Sequence, residues 1–138
     1  MKKNLFPDGE IFDGKHFNIH QDWWIPIPGF FIMASKRKIR SIAEFTDEES
    51  LEFMMILKKT RIGLSEILNI DDVYIFQNED TQHGFHLWIF PRHEWMKKFG
   101  IKIESVRPIM VHAEKNLQTD EMMKQVNDAV LKMREFMN

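Results

Sequence analysis

The segment Gly84-Phe85-His86-Leu87-Trp88-Ile89-Phe90-Pro91-Arg92 is where the sequence concentrates its chemistry. Read as a strand, it alternates: Phe85, Leu87 and Ile89 fall on one face, and Gly84, His86 and Trp88 on the other. A lone imidazole then stands between a residue without a side chain and a broad indole, with room in front of the ring. An imidazole has a reference pKa of about 6.5 and is largely neutral at pH 7, so its free nitrogen serves as a nucleophile, a general base or a metal ligand. By alternation alone, the commoner role of such a histidine is structural, hydrogen-bonded within the sheet.

A metal site is not expected. His83 and His93 flank the segment, but strand polarity separates His83 from His86, no carboxylate stands at an evident ligand spacing, and the chain has no cysteine. No other cofactor is expected either. His16, His20 and His112 have no motif around them and read as structural or exposed.

The elements that must position His86 follow from patterning. Residues up to about Gly29 read as short strands and turns, broken at Asp13-Gly14 and Pro26-Ile27-Pro28-Gly29. Phe30-Phe31-Ile32-Met33-Ala34 is an apolar run too short for a helix and predicts a strand buried on both faces. Thr46-Asp47-Glu48-Glu49 is a capping box, so a helix is expected from about residue 47 to 68, burying the side that carries Leu51, Met54, Met55, Leu57, Ile62, Leu64 and Ile67, with Gly63 weakening its middle. Val73-Tyr74-Ile75-Phe76 is a further strand, and residues 77 to 83 are a polar loop. Beyond Gly100, Ser105 is expected to cap a short helix with Pro108 in its first turn. Thr119 should cap a final helix with Met122, Met123, Val126, Val130, Met133 and Met137 on one face. Strands, helix, strands and then helices predict an α+β fold with a mostly antiparallel sheet of about five strands.

With 138 residues, 43% of them hydrophobic, the chain is sized for a single domain over 1–138, with a helical extension at about 104–138. A formal net charge of −2 lacks the positive excess that polymeric nucleic acid requires. No apolar run approaches the ~20 residues of a membrane span, and the first ten residues reach acidic and turn-forming types before any signal core, so no membrane association and a cytoplasmic location are expected.

The His86 segment, with Pro91-Arg92 behind it, resembles the signature of the histidine triad (HIT) superfamily, in which histidines alternate with apolar residues and Pro-Arg often follows. Upstream, Phe30 to Ile39 and the helix start Phe45-Thr46-Asp47-Glu48-Glu49 resemble that family's early strand, basic turn and first helix. The resemblance runs over about residues 17–95. Aligned on Pro-Arg, Gly84, His86 and Trp88 take the first, middle and last histidine positions, and only the middle one, the family's nucleophile, is retained. Lys38 stands where the family commonly has a further histidine.

The resemblance implies a HIT-like fold and a nucleotide hydrolase or nucleotidyl transferase acting at the α-phosphate of a substituted nucleoside phosphate, of dinucleoside polyphosphate or phosphoramidate type. His86 would form a nucleotidyl-histidine intermediate. Thr81, the amides of the loop 77–83 and Lys38 would hold phosphoryl oxygens. Asn78 matches a polar position of the family, and Asp22 falls where an acid meets ribose hydroxyls. Trp23, with Trp24 and Ile25, would wall the base, and Gly84 and Trp88 would flank the nucleophile. Asp22 as a turn residue, the tryptophans as core, and Trp88 as packing beneath the loop are the plain alternatives. His93 or Arg92 would reach the leaving group or form a solvated surface pair. Loss of two triad histidines leaves open a nucleotide-binding module with little turnover, or an interaction scaffold on the same fold. Family dimers pair their first long helices, which implies a homodimer through the region of Met54 and Met55.

Overall fold

The computed structural model describes residues 2–138; Met1, with which the N-terminal reading above begins, lies outside them. The elements are β1 (Glu10–Asp13), β2 (Phe17–Gln21), β3 (Phe31–Ser35), α1 (Asp47–Glu66), β4 (Val73–Phe76), β5 (His86–Pro91), α2 (Val106–Asn116) and α3 (Asp120–Met137), with short 3-10 turns between them. The five strands form one antiparallel sheet in the order β1-β2-β3-β5-β4. This is the expected α+β architecture.

Alternation divides the apolar residues between the two faces of the sheet. Phe17, Ile19, Phe31, Met33, Phe85, Leu87 and Ile89 point to the side of α1 and α3, where Phe17, Phe45, Phe53 and Phe85 pack edge to face or tilted at centroid distances of 5.1 to 6.3 Å. Ile32, Phe90 and the half-buried Trp88 point to the other side, under α2 with its Val106, Ile109 and Ala113. Gly29, at φ +85°, turns the chain into β3 in a conformation that disfavours a side chain.

Helix α1 starts where the capping box says. The Glu49 amide donates to Thr46 Oγ1 (3.1 Å) and the Thr46 amide to Glu49 Oε1 (2.7 Å). Arg37 clamps the same carboxylate at 3.1 and 2.8 Å, and this, with the Thr46 amide, holds the buried Glu49 carboxyl down to about 2. The facing of α1 corrects the sequence reading. The buried stripe is Phe53, Ile56, Thr60, Gly63 and Leu64, with Leu57 and Ile67 partly buried, while Leu51, Met54, Met55 and Ile62 are exposed. From Leu51 to Leu57 only Glu52 is polar, so periodicity does not choose a face there; the ring of Phe53 completes the aromatic cluster and decides it. Gly63 is where α3 approaches: a Cβ there would meet Met133 and Phe136 at 2.8 Å.

Thr119 caps α3 as expected, accepting from the Met122 amide at 3.2 Å, and Val126, Val130, Met133 and Met137 are buried. Arg134 of α3 donates to the carbonyls of Glu10 and Asp8, tying the helix to β1 at the edge of the sheet. Ser105 does not cap α2: its own backbone is already helical, and its hydroxyl donates to the Lys102 carbonyl (2.6 Å) and accepts from Arg92 (3.2 Å). Among the described residues no helix is long and apolar enough to cross a membrane.

Candidate functional site

On the α2 side of the sheet, a cavity of about 350 Å³ opens between the end of β2 and the loop that leads into β5. Its floor is the sheet. Ile32 of β3 pairs with Trp88 of β5, and Ala34 with His86, so His86 stands beside a small neighbour and Trp88 beside Ile32 on the face that carries the cavity. Trp88 is held by a stacked contact with Phe76 of β4, with centroids 5.5 Å apart and planes at 20°.

The orientation of His86 is set by the backbone. Its Nδ1 lies 2.6 Å from the carbonyl oxygen of Gly84, and a carbonyl only accepts, so Nδ1 carries the hydrogen. In the neutral ring the lone pair is then on Nε2, which has no hydrogen-bond partner among the described residues. Gly84 does not line the cavity; a Cβ there would meet only the Ile39 carbonyl at 3.6 Å. Its contribution is the carbonyl.

The loop over β5 supplies Asn78, Thr81 and His83 to the wall. Thr81 Oγ1 donates to the His83 carbonyl (3.3 Å), and Gln77 donates to the Asn78 carbonyl (2.7 Å). The ring of His83 meets that of His86 edge-on, 5.9 Å between centroids. Sequence reasoning placed this residue in the loop 77–83 but set it apart from His86 by extending strand polarity to it. Here β5 begins at His86, residues 79–84 are a run of bends, and strand polarity does not apply to His83.

The opposite wall is Asp22, Trp23 and Trp24, joined by Asn4. Asp22 is buried, and its Oδ1 accepts from the amides of Trp24 and Ile25, both at 2.9 Å, which folds this segment around the carboxylate. Burial pushes the carboxyl above the usual range, against the pull of those two amides and of Lys2. Oδ2 has no partner among the described residues. Trp23 stacks on His20 at 4.8 Å, and the more exposed Trp24 has the Lys2 ammonium 5.9 Å above its ring. Asp22 is thus a turn residue, as the plain alternative has it, and its carboxylate also lines the cavity.

Seven of the residues given a site role in the sequence therefore line one cavity: His86, Asp22, Trp23, Trp24, Asn78, Thr81 and Trp88. Lys38 does not. It is exposed on the turn after β3, where its neighbour Ile39 is fixed by accepting from the Phe85 amide at 2.7 Å. His93 and Arg92 neither reach the cavity nor form a solvated pair. His93 Nε2 bonds the Pro28 carbonyl at 2.7 Å, and burial lowers its pKa; Arg92 lies over the Tyr74 ring and donates to the Gly100 carbonyl. Both brace the end of β5. Ile32 and Asn4 carried no motif signal; only the fold brings them in. Among the described residues there is no group of three or more His, Cys, Asp or Glu that could hold a metal ion.

No family model and no curated protein matches the chain. Solved structures do. The NitFhit protein of C. elegans is similar over 99% of this chain and 30% of its own, at 17% identity and a TM-score of 0.63. A Hit-like protein from Bartonella henselae involved in cell-cycle regulation is similar over 94% of this chain and 87% of its own, at 16% identity and a TM-score of 0.61. Plasmodium falciparum diadenosine triphosphate hydrolase is similar over 94% of this chain and 79% of its own, at 15% identity and a TM-score of 0.61. This chain thus spans less than a third of the worm protein. The fold is that of the histidine triad proteins.

Proposed function

We propose that this protein binds a substituted nucleoside phosphate in the cavity before His86 and that His86 Nε2 attacks its α-phosphorus. The carrying observation is the Gly84 carbonyl on His86 Nδ1, which leaves Nε2 as the nucleophilic nitrogen of a neutral ring beside a wall suited to a nucleoside. Trp23 and Trp24 offer apolar faces to a base, and the unpartnered oxygen of Asp22 accepts from ribose hydroxyls. Asn78, Thr81 and His83 donate to the phosphoryl oxygens in place of the cationic residue that Lys38 would have been.

The Nε2 lone pair forms the N–P bond, and the bond from phosphorus to the leaving group breaks with its electron pair going to the departing atom. His83, an imidazole within one molecule's reach of His86, gives that atom a proton and afterwards takes one from the water that hydrolyses the nucleotidyl-histidine. Incubation of the wild type with a dinucleoside polyphosphate or a nucleoside phosphoramidate, followed by intact-mass measurement after acid-free quenching, tests this reading. A transient nucleotidyl adduct that is absent in His86→Ala is expected. Tight nucleotide binding without adduct or product would replace it by the second reading.

That second reading is a nucleotide-binding module with little turnover. It is favoured by one observation: among the described residues lining the cavity there is no lysine or arginine to hold charge at the phosphorus.

A homodimer accompanies the proposal. The exposed side chains of Leu51, Met54 and Met55 give α1 an adaptable apolar face toward solvent, the kind of surface that a second copy covers. Light scattering on the eluted protein is expected to give about twice the chain mass, falling to one in a Met54→Lys, Met55→Lys variant. A cytoplasmic location goes with a nucleotide substrate.

A further inference from the structure

Residues 100–105, the turn that leads into α2, hold apolar side chains away from the protein. Ile101 is 66% exposed and Ile103 56%. Lys102 stands between them with its backbone at φ +71°, ψ 176°, a conformation all but reserved for glycine. Among the described residues the one other non-glycine with a positive φ is Asn69, and asparagine tolerates it. The strained turn is clamped. The Lys102 amide donates to the Tyr74 hydroxyl (2.7 Å), its carbonyl accepts from Ser105 Oγ (2.6 Å), and Arg92 donates to the Gly100 carbonyl (2.6 Å). Side chains of β4 and of the end of β5 thus fix a costly backbone in which both isoleucines meet solvent.

Positive charge surrounds the same tip. From Lys97 to Arg107 the charged residues are Lys97, Lys98, Lys102 and Arg107 against Glu104 alone, in a chain whose formal net charge is −2. All five are exposed. Lys97 pairs with Glu94 at 2.9 Å across solvent, while Lys98, Lys102 and Arg107 have no ion pair among the described residues. Exposed apolar side chains on a clamped turn, ringed by cations, match a surface that is anionic outside and apolar beneath. A bilayer with acidic headgroups has those layers in that order, and being fluid it receives the tip without a matched shape.

We infer that residues 97–107 dock this protein on a membrane surface rich in anionic lipid. Ile101 and Ile103 enter beneath the headgroups, and Lys98, Lys102 and Arg107 stay among the phosphates. None of these residues lines the cavity before His86, so the inference stands apart from nucleotide binding. The lack of a span-length apolar run, from which no membrane association is expected, does not bear on a turn that enters only the interface.

The full chain is sedimented with vesicles of phosphatidylcholine alone and of phosphatidylcholine with phosphatidylserine at seven to three. Partitioning onto the mixed vesicles at least tenfold above that onto the neutral ones is expected, falling as salt is raised to about 0.5 M. Ile101→Asp with Ile103→Asp, and separately Lys98→Glu with Lys102→Glu, should each lose at least tenfold in partitioning with the thermal midpoint unchanged. The chain has no cysteine, so Ile101→Cys and, on α3, the exposed Leu131→Cys each carry a single environment-sensitive fluorophore. The label at 101 is expected to shift to the blue on the mixed vesicles and the label at 131 to stay. Absence of binding, equal binding to both kinds of vesicle, full binding by the isoleucine pair variant, or the same shift at both labels overturns the inference. So does retention on immobilised polyglutamate without binding to vesicles, which would give the patch an acidic protein partner instead.

Discussion

The face of the sheet under α1 and α3 and the face that carries His86 are made by the same five strands from alternate residues, yet they are finished differently. Under α1 the apolar side chains close on one another: Phe17, Phe31, Met33, Phe85 and Ile89 are essentially inaccessible, and two helices seal them. On the other face α2 covers only part of the surface, and Ile32, His86 and Trp88 are left lining open space. Even the two buried carboxylates divide this way. Glu49, at the start of α1, is held charged by Arg37, whereas Asp22, in the cavity wall, is pushed toward the protonated form by burial. One face is arranged for stability, and the other retains groups that would be easier to keep in water.

Adjacent residues at the start of β5 provide the sharpest way to break that comparison. His86→Ala should reduce turnover on the order of 10⁴-fold or more, read as loss of product and of the nucleotidyl adduct, with the denaturation midpoint little changed. Phe85→Ala, one residue away and facing α1, should cost about 3–5 kcal/mol in chemical denaturation, with the nucleotide affinity of the remaining folded fraction intact. Exchange of these two outcomes would mean that the faces are not separable. A smaller effect is expected at the cap of α3: Thr119→Ala should lower stability by about 1 kcal/mol without altering nucleotide binding.

The carboxylates give two finer tests. Glu49 has a folded-state pKa of about 2, below the ordinary 4.5, so its stabilisation is complete above about pH 4.5 and is lost as pH falls through about 2. Arg37→Met should flatten that acid limb in pH-dependent unfolding. Asp22 has a raised folded-state pKa, so its ionisation favours the unfolded chain, and its protonated form's contribution is lost as pH rises through the folded value. Asp22→Asn keeps an oxygen for the Trp24 and Ile25 amides and removes the buried charge. A rise of a degree or so in Tm at neutral pH is expected, together with weaker nucleotide binding.

Much of this arrangement is legible in the sequence where the signal is local. Alternation through residues 85–88 separates Phe85 and Leu87 from His86 and Trp88, and the hydroxyls of Thr46 and Thr119 mark two helix starts. What stays hidden is decided by contacts distant in the chain. The facing of α1 depends on a hole among Phe17, Phe45 and Phe85 that only Phe53 fills. Lys38 looks like a phosphate ligand by position, but the turn after β3 aims it at solvent. His83 enters the site because the loop bends before the strand begins, and Ser105 is drawn from capping by Lys102 and Arg92. Gly63 reads as a weak point of α1 until α3 is seen against it.

The tie between His86 Nδ1 and the Gly84 carbonyl has a consequence for how such a site tolerates change. Because the acceptor belongs to the main chain, every amino acid at position 84 brings the same oxygen, and the tautomer of His86 survives substitution of its neighbour. The side chain at 84 is thereby freed from orienting the ring. Position 84 could therefore be varied without turning the His86 ring, whose other edge faces the ring of His83 from the adjoining loop.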